Sequence, residues 1–547
     1  MSALFSIFGF LSVMLHGFDL VAQTVLLGSI LFLLLLALPL AARLGGDSAL
    51  VLSGTRRVIQ IAALAGIAIV TAATAINAAV LQSSLDAPWS AVASADFVFS
   101  GLTKILATLA ILLIATWRPI TAAFTGAALA LFAAIVLVAA LADSHAMARL
   151  DGRGAMFLVD GMHQIGAALW LGGLPCFALA LGRVAPPASL ALIGQRYSVL
   201  SMSGVALIVI GAVFLSIGYI GSLDGFYGTA YGAMAATKGV LLGVLLLLGL
   251  GNFLSIRYFA GDGAAFGRVR RFVIVESGIA VAVLMAAASI TSLPPAIDLT
   301  VDRVSLGEIG QRMKPEPPRL SSPDRATLGI AVSQAQIDAA WNPQAAYVPG
   351  AVAVPPRSAQ HIAWSEYNHH WAGVIVLLIG LAALAERSGW VPWARHWPLL
   401  FLLLAVFLFL RNDPDVWPLG QIGLLESLRD PEVVQHRFFV LLTVGFAFFE
   451  WGVRTGRLTR PALALVFPLL TAVAATFLLA HSHALSNVKE QLLTELTHLP
   501  MAVLGILAGW TRWLQVKAPE GEGRWAGWVW PVCFVLISLL LLDYREA

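Results

Sequence analysis

The sequence predicts an all-α, polytopic membrane protein of about fourteen transmembrane helices, on three observations. Of its 547 residues 59% are hydrophobic and only 12% are charged, against roughly 25% charged in soluble domains. The apolar runs reach roughly 20 residues, the length at which a helix spans hydrocarbon, and not the roughly 10-residue alternating segments of a membrane barrel. Basic residues fall on alternate connections between these runs, as they do when cytoplasmic loops retain Lys and Arg.

The apolar segments lie near residues 16–42, 57–82, 97–117, 119–142, 155–182, 198–222, 234–258 and 271–293. Six more follow near 369–386, 397–411, 436–454, 461–481, 497–516 and 525–543. Backbone groups in lipid must be satisfied within the segment, so each run reads as a helix. The N-terminus lacks a basic region and a small-residue cleavage site, so residues 4 to 42 read as a retained first helix, too long for one perpendicular span and opening with an interfacial or tilted stretch. The sequence thus divides into an eight-helix membrane domain, 1–293, a Pro-rich linker or small cap, 294–365, and a six-helix, His-rich membrane domain, 366–547.

Arg43, Arg56 and Arg57, then Arg118, Arg183 and Arg196, then Arg257, Arg268, Arg270 and Arg271 mark cytoplasmic loops. The parity continues through Arg387 and Arg395, Arg454 to Arg460, and Arg512 to Arg524. Both termini and the 294–365 stretch are then periplasmic, in a bacterial inner membrane. The net charge of +3 is spread over short loops, without a stripe that could neutralise phosphates, so nucleic acid is not an expected partner and lipid is.

Cys176 and Cys533 lie far apart in apolar runs, which excludes a CxxC motif and leaves soft-metal chemistry to His and Met. On this topology His16, His145, His163, His361, His369, His370, His436, His481, His483 and His498 are external, and only His396 is internal. Imidazole nitrogen ligates copper, zinc and haem iron, so this distribution marks a metal-facing surface. Met14, Met147, Met162 and Met501 stand within three residues of these histidines, and thioether beside imidazole suits Cu(I). The expected ligands are His16, His145, Met147, His163, His370, His436, His481, His483 and His498.

A weak four-helix repeat reinforces the pattern, since the first, fifth, ninth and thirteenth helices each open on a histidine: His16, His163, His370 and His498. SHA recurs in DSHAMARLDGRGAMFLVDGMHQ and HSHALSNVKEQLLTELTHL, as parallel repeats in transporters would give. Lys104 and Lys238 each follow Thr inside a helix. They read equally as intramembrane functional cations, paired with Asp19 or Asp160, and as side chains snorkelling to the interface. Arg411, Asp413, Asp415, Glu426, Arg429 and Asp430 surround His436 and read as a network that orders its loop.

MHQIGAALWLGG at 162–173, the TAYG, TK and GN elements within 196–253, and SLPPA at 292–296 resemble the copper resistance protein D (CopD) family. The resemblance covers most of residues 1–300, and EYNHHWAG, DPEVVQHRFF and HSHAL resemble the extended, two-domain form of that family. It implies copper movement from periplasm to cytoplasm, often with a small periplasmic copper-binding protein of the CopC type. It carries over most directly to His145, His163 and Lys238; SHA stands here where GHA is expected.

The expectation is a copper importer rather than an enzyme, because no GxxxxGK[ST] loop, HExxH or paired-carboxylate signature is present. The alternative is a b-type haem cytochrome for electron transfer or metal reduction, since bis-His ligation within a bundle needs no local motif.

Overall fold

A computed structural model describes residues 2–144, 147, 152–258, 263–301, 303–324, 359–413, 416–428, 431–479, 488–519 and 521–546. These residues are helical with no strand, and eleven segments are long and apolar enough to cross a membrane. One of the eleven, Phe8–Leu85, holds two of the expected helices, and the shorter apolar helices Leu463–Leu478 and Ala526–Leu542 complete the predicted set. Leu64, Phe99, Phe124, Leu247 and Leu441 are among the large apolar side chains left exposed, as a lipid-facing surface requires. The chain is a multi-pass membrane protein.

The chain forms two compact units. One comprises Phe8–Ser222 and Lys238–Leu293; the other comprises Met1–Ile7, Leu223–Thr237 and Pro294–Ala547.

In the first unit, α1 (Ser2–Phe32) runs through a π-turn, Leu33–Ala37, into α2 (Leu38–Leu44). Gly45 then adopts φ +54°, a value that L side chains resist, and the chain folds back as α3 (Ser48–Leu85) against α2 and the π-turn. α3 packs on α4 (Asp96–Trp117), which packs on α5 (Ala123–Ala142). The fifth expected helix is α6 (Arg153–Ala167), a second π-turn at Ala168–Gly172, and α7 (Leu174–Arg183). α6 packs on α8 (Pro187–Tyr219), while α10 (Gly263–Thr291) packs on α7 and α9 (Ala230–Tyr258) lies between α8 and α10 in sequence. Gly28 and Gly172 meet where the two π-turned helices cross, and a Cβ on Gly172 would overlap the Thr24 carbonyl. This crossing exists because neither residue has a side chain.

In the second unit, α11 (Leu306–Arg312) lies inside the stretch expected to be linker. It opens on a capping box in which Ser305 and Glu308 satisfy each other's backbone N–H groups. The segment beside it is pinned by Arg303, which donates to Asp224 at 2.5 Å and to the carbonyls of Ala296 and Leu299. The membrane helices are α12 (Ala359–Ser388), α13 (Leu400–Arg411), α14 (Pro431–Arg454), α15 (Val466–Leu478), α16 (Val488–Lys517) and α17 (Ala526–Leu542). Their core is aromatic, with Trp397, Phe467 and Trp530 in mutual contact at centroid separations of 5.6 Å and Phe534 against Phe467 and Trp530 at 6.1 Å.

Beside this core the fully buried Glu450 carboxylate lies between Arg454 at 2.7 Å and Arg512 at 3.8 Å, and Arg454 also reaches Glu386 at 2.7 Å. His396 belongs to the same end, where its Nδ1 accepts the Trp451 indole N–H at 2.8 Å.

Candidate functional site

In the first unit, His16, Asp19 and Gln23 recur on α1 at intervals that place them on one helix face. Asp160, His163 and Gln164 share a face of α6 in the same way. Gln23 donates to Gln164 at 3.0 Å, and Gln164 donates to Asp160 at 3.2 Å, so the two faces are stitched together by side-chain amides. Lys104 from α4 donates to Asp19 at 2.5 Å with both side chains largely buried. Lys238 from α9 lies in the electrostatic field of Asp160 and of His163.

His163 is seated by Gly211 of α8, where a Cβ would stand 2.8 Å from the His163 Cβ. Its Nδ1 faces the Ile208 carbonyl at 3.0 Å. A carbonyl oxygen can only accept, so Nδ1 carries the proton and Nε2 carries the lone pair. This is the tautomer that a metal-ligating histidine takes when its other nitrogen is anchored.

The second unit repeats that arrangement twice in one place. His369 on α12 faces its Nδ1 to the Ser365 carbonyl at 2.8 Å, and His498 on α16 faces its Nδ1 to the Thr494 carbonyl at 3.0 Å. The two rings meet edge to face, centroids 6.2 Å apart, and Tyr544 stacks on His369 at 3.8 Å. Tyr544 and Ser365 both donate to the Glu546 carboxylate, at 2.6 and 2.5 Å. Desolvation and the neighbouring Glu546 charge hold the Tyr544 phenol well above its usual range, so it remains a donor. Glu495 is buried one turn before His498.

The sequence singled out His370, but it is used differently. Its Nδ1 accepts the Arg319 backbone N–H at 2.7 Å and its Nε2 donates to the Tyr544 carbonyl at 2.8 Å. His369, one position earlier, is the ring that meets His498. His436 has its Nδ1 against the Asp413 carboxylate at 2.7 Å. His16 and Met147 are half-buried. His145, His481 and His483 lie outside the described residues, as do Asp415, Arg429 and Asp430 of the His436 loop. Among the described residues no group of three or more His, Cys, Asp or Glu side chains is arranged to hold a metal ion.

Three features escaped sequence reasoning. Met285 is fully buried against Gly17, where a Cβ would overlap its sulfur, which sets a thioether one residue from His16. Tyr544 closes the His369 and His498 pair from a terminus that carries no motif. Glu276 lies buried in α10, hydrogen-bonded to Asn252; a lone acid in an apolar helix is its one sequence signal.

Residues 191–290, which include Tyr197, Lys238, Asn252 and Glu276, match the family described as copper resistance protein D (CopD). A 162-residue stretch is 30% identical to copper transport protein CutJ of Bacillus subtilis (strain 168). That match spans 29% of this chain and 29% of the relative's length. No solved structure matches the chain. Over residues 191–290, therefore, this multi-pass membrane protein is similar to the CopD family.

Proposed function

We propose that the chain captures copper at the periplasmic face of a bacterial inner membrane and moves it toward the cytoplasm, without nucleotide hydrolysis. The observation that carries this reading is the His369 and His498 pair, two rings 6.2 Å apart, each with Nδ1 anchored on a carbonyl and Nε2 in the ligating tautomer. His163 repeats the arrangement in the other unit, and a copper transport protein is among the relatives.

In this scheme His369 and His498 hold copper in one unit and His163 holds it in the other, with His436 a further external ligand. His16, His145, Met147, His481 and His483 complete the external set, and His370 holds the α12 backbone in register with the chain terminus. The Lys104–Asp19 and Lys238–Asp160 charges fix the outer ends of the N-terminal helices around His163. The termini and the 294–365 segment face the periplasm, where a CopC-type protein delivers copper. The 1–293 and 366–547 domains each offer one capture centre.

The test is copper entry into cells carrying the chain, together with reporter fusions at residues 320 and 547. The expected result is copper accumulation above vector controls, lost with His163→Ala and His498→Ala, and periplasmic reporter activity at both positions. Copper accumulation unchanged by the chain, or cytoplasmic reporters at both positions, would overturn the scheme.

A further inference from the structure

A crevice of about 320 Å³ indents the first unit, and none of the external histidines lines it. Trp170, Phe177 and Phe253 form its apolar wall, and Met202 and Leu250, both more than half exposed, carry it to the lipid-facing surface. Glu276 of α10 and Asn252 of α9 are its buried polar lining, 2% and 6% exposed. The Glu276 carboxylate accepts from the Asn252 Nδ2 at 2.8 Å. The Asn252 Oδ1 is buried and, among the described residues, has no hydrogen-bond partner. No Lys, Arg or His is among the lining side chains that α7, α8, α9 and the Ala168–Gly172 π-turn bring to the crevice. Tyr197 is the other titratable group there, and its hydroxyl donates to the Trp170 carbonyl at 2.5 Å.

Two needs meet at this acid and amide. A buried carboxylate without a counter-charge is costly, and a buried amide oxygen without a donor adds to the cost. Water would supply the donor and leave the charge. A proton on Glu276 removes the charge, and the acid O–H that it creates is the donor that the Asn252 Oδ1 lacks. Ionisable groups within membrane spans mark proton relays and ion paths. Asn252 stands five positions before Arg257, and Glu276 five after Arg271. Helix rise therefore separates each by only ~7–8 Å from a basic helix end, where water can exchange the proton.

We infer that Glu276 and Asn252 form a proton-binding site, whose proton is taken from water and returned to it as copper crosses the membrane. The site stands on its own hydrogen bonding; its exchange during transport rests on the copper-transport reading.

The test is labelling of the purified full-length protein with dicyclohexylcarbodiimide, a lipid-soluble reagent that takes up the acid proton as the carboxyl oxygen adds to its central carbon. Peptide mass mapping is expected to find the adduct on Glu276, falling as the pH is raised and absent in Glu276→Gln. The glutamine offers an N–H where the acid offers its O–H, so this variant is expected to melt with the wild type. Cu(I) uptake into vesicles, measured alongside, is expected to respond to an imposed pH gradient in the wild type and to lose that response in Glu276→Gln. No adduct on Glu276 at any pH, or an adduct blocked by Na⁺ and not by raised pH, would overturn the proton site. A Glu276 adduct with wild-type uptake indifferent to the gradient would overturn its exchange in transport. Wild-type vesicles that take up no copper would overturn the copper reading and that exchange together.

Discussion

The imidazoles of His369 and His498 meet at 87° with centroids 6.2 Å apart, each ring facing its Nδ1 to the carbonyl four residues earlier on its own helix. The backbone thus fixes both tautomers before any ion arrives, which removes part of the ordering cost of binding. Alanine at either position is expected to weaken copper affinity by at least ~10- to 100-fold. The double variant should add little, because one ligand alone holds the ion poorly. Chelator competition reads this directly, and fully additive losses would show that the rings serve separate ions.

His370 offers the complementary case. Both of its ring nitrogens bind backbone groups, so His370→Ala leaves a buried N–H and carbonyl unsatisfied, at about 1–3 kcal/mol each. The expected outcome is a lowered melting temperature with copper affinity retained. Loss of affinity at unchanged melting temperature would return His370 to the ligand set.

Lys104 and Asp19 form a largely buried pair, so removing one partner strands the other's charge. Lys104→Met is expected to destabilise the first unit by roughly 3–5 kcal/mol, and Lys104→Met with Asp19→Leu to recover most of it. Denaturation in detergent measures both. A double variant no more stable than the single one would show that Lys104 holds something other than Asp19.

How much of this was legible in the sequence depends on what fixes each feature. Span positions follow from apolar length alone, so the segment near 271–293 is readable without knowing its neighbours. The choice between His369 and His370 is not, because adjacent residues on a helix point about 100° apart, and which one faces α16 depends on how α12 packs. α11 carried a readable signal, the Ser305–Glu308 capping box, that the search for apolar periodicity passed over. Glu276 was visible as a lone acid in an apolar run. Its cavity was not, because residues from α7 to α10 and the Ala168–Gly172 π-turn must assemble to line it.

Glu308 makes one part of the fold sensitive to acid. Lys489 and the Ser305 backbone and hydroxyl hold its carboxyl down to about 2. A carboxyl depressed in the folded state contributes stability above its unfolded value, near 4.5, and that contribution is lost as the pH falls toward about 2. The α11 segment is therefore expected to loosen between those values, with Glu308→Gln removing the transition. Hydrogen exchange at residues 305–312 measures it, and a loosening in that window that persists in Glu308→Gln would place its cause elsewhere.

The central claim, that the anchored imidazoles hold copper, is tested most directly by metal analysis and an absorption spectrum of the purified full-length protein. The account predicts bound copper, or saturable uptake of Cu(I), that falls with His369→Ala and His498→Ala, and no Soret band. A stoichiometric Soret band lost in those same variants would contradict it and assign the pair to haem.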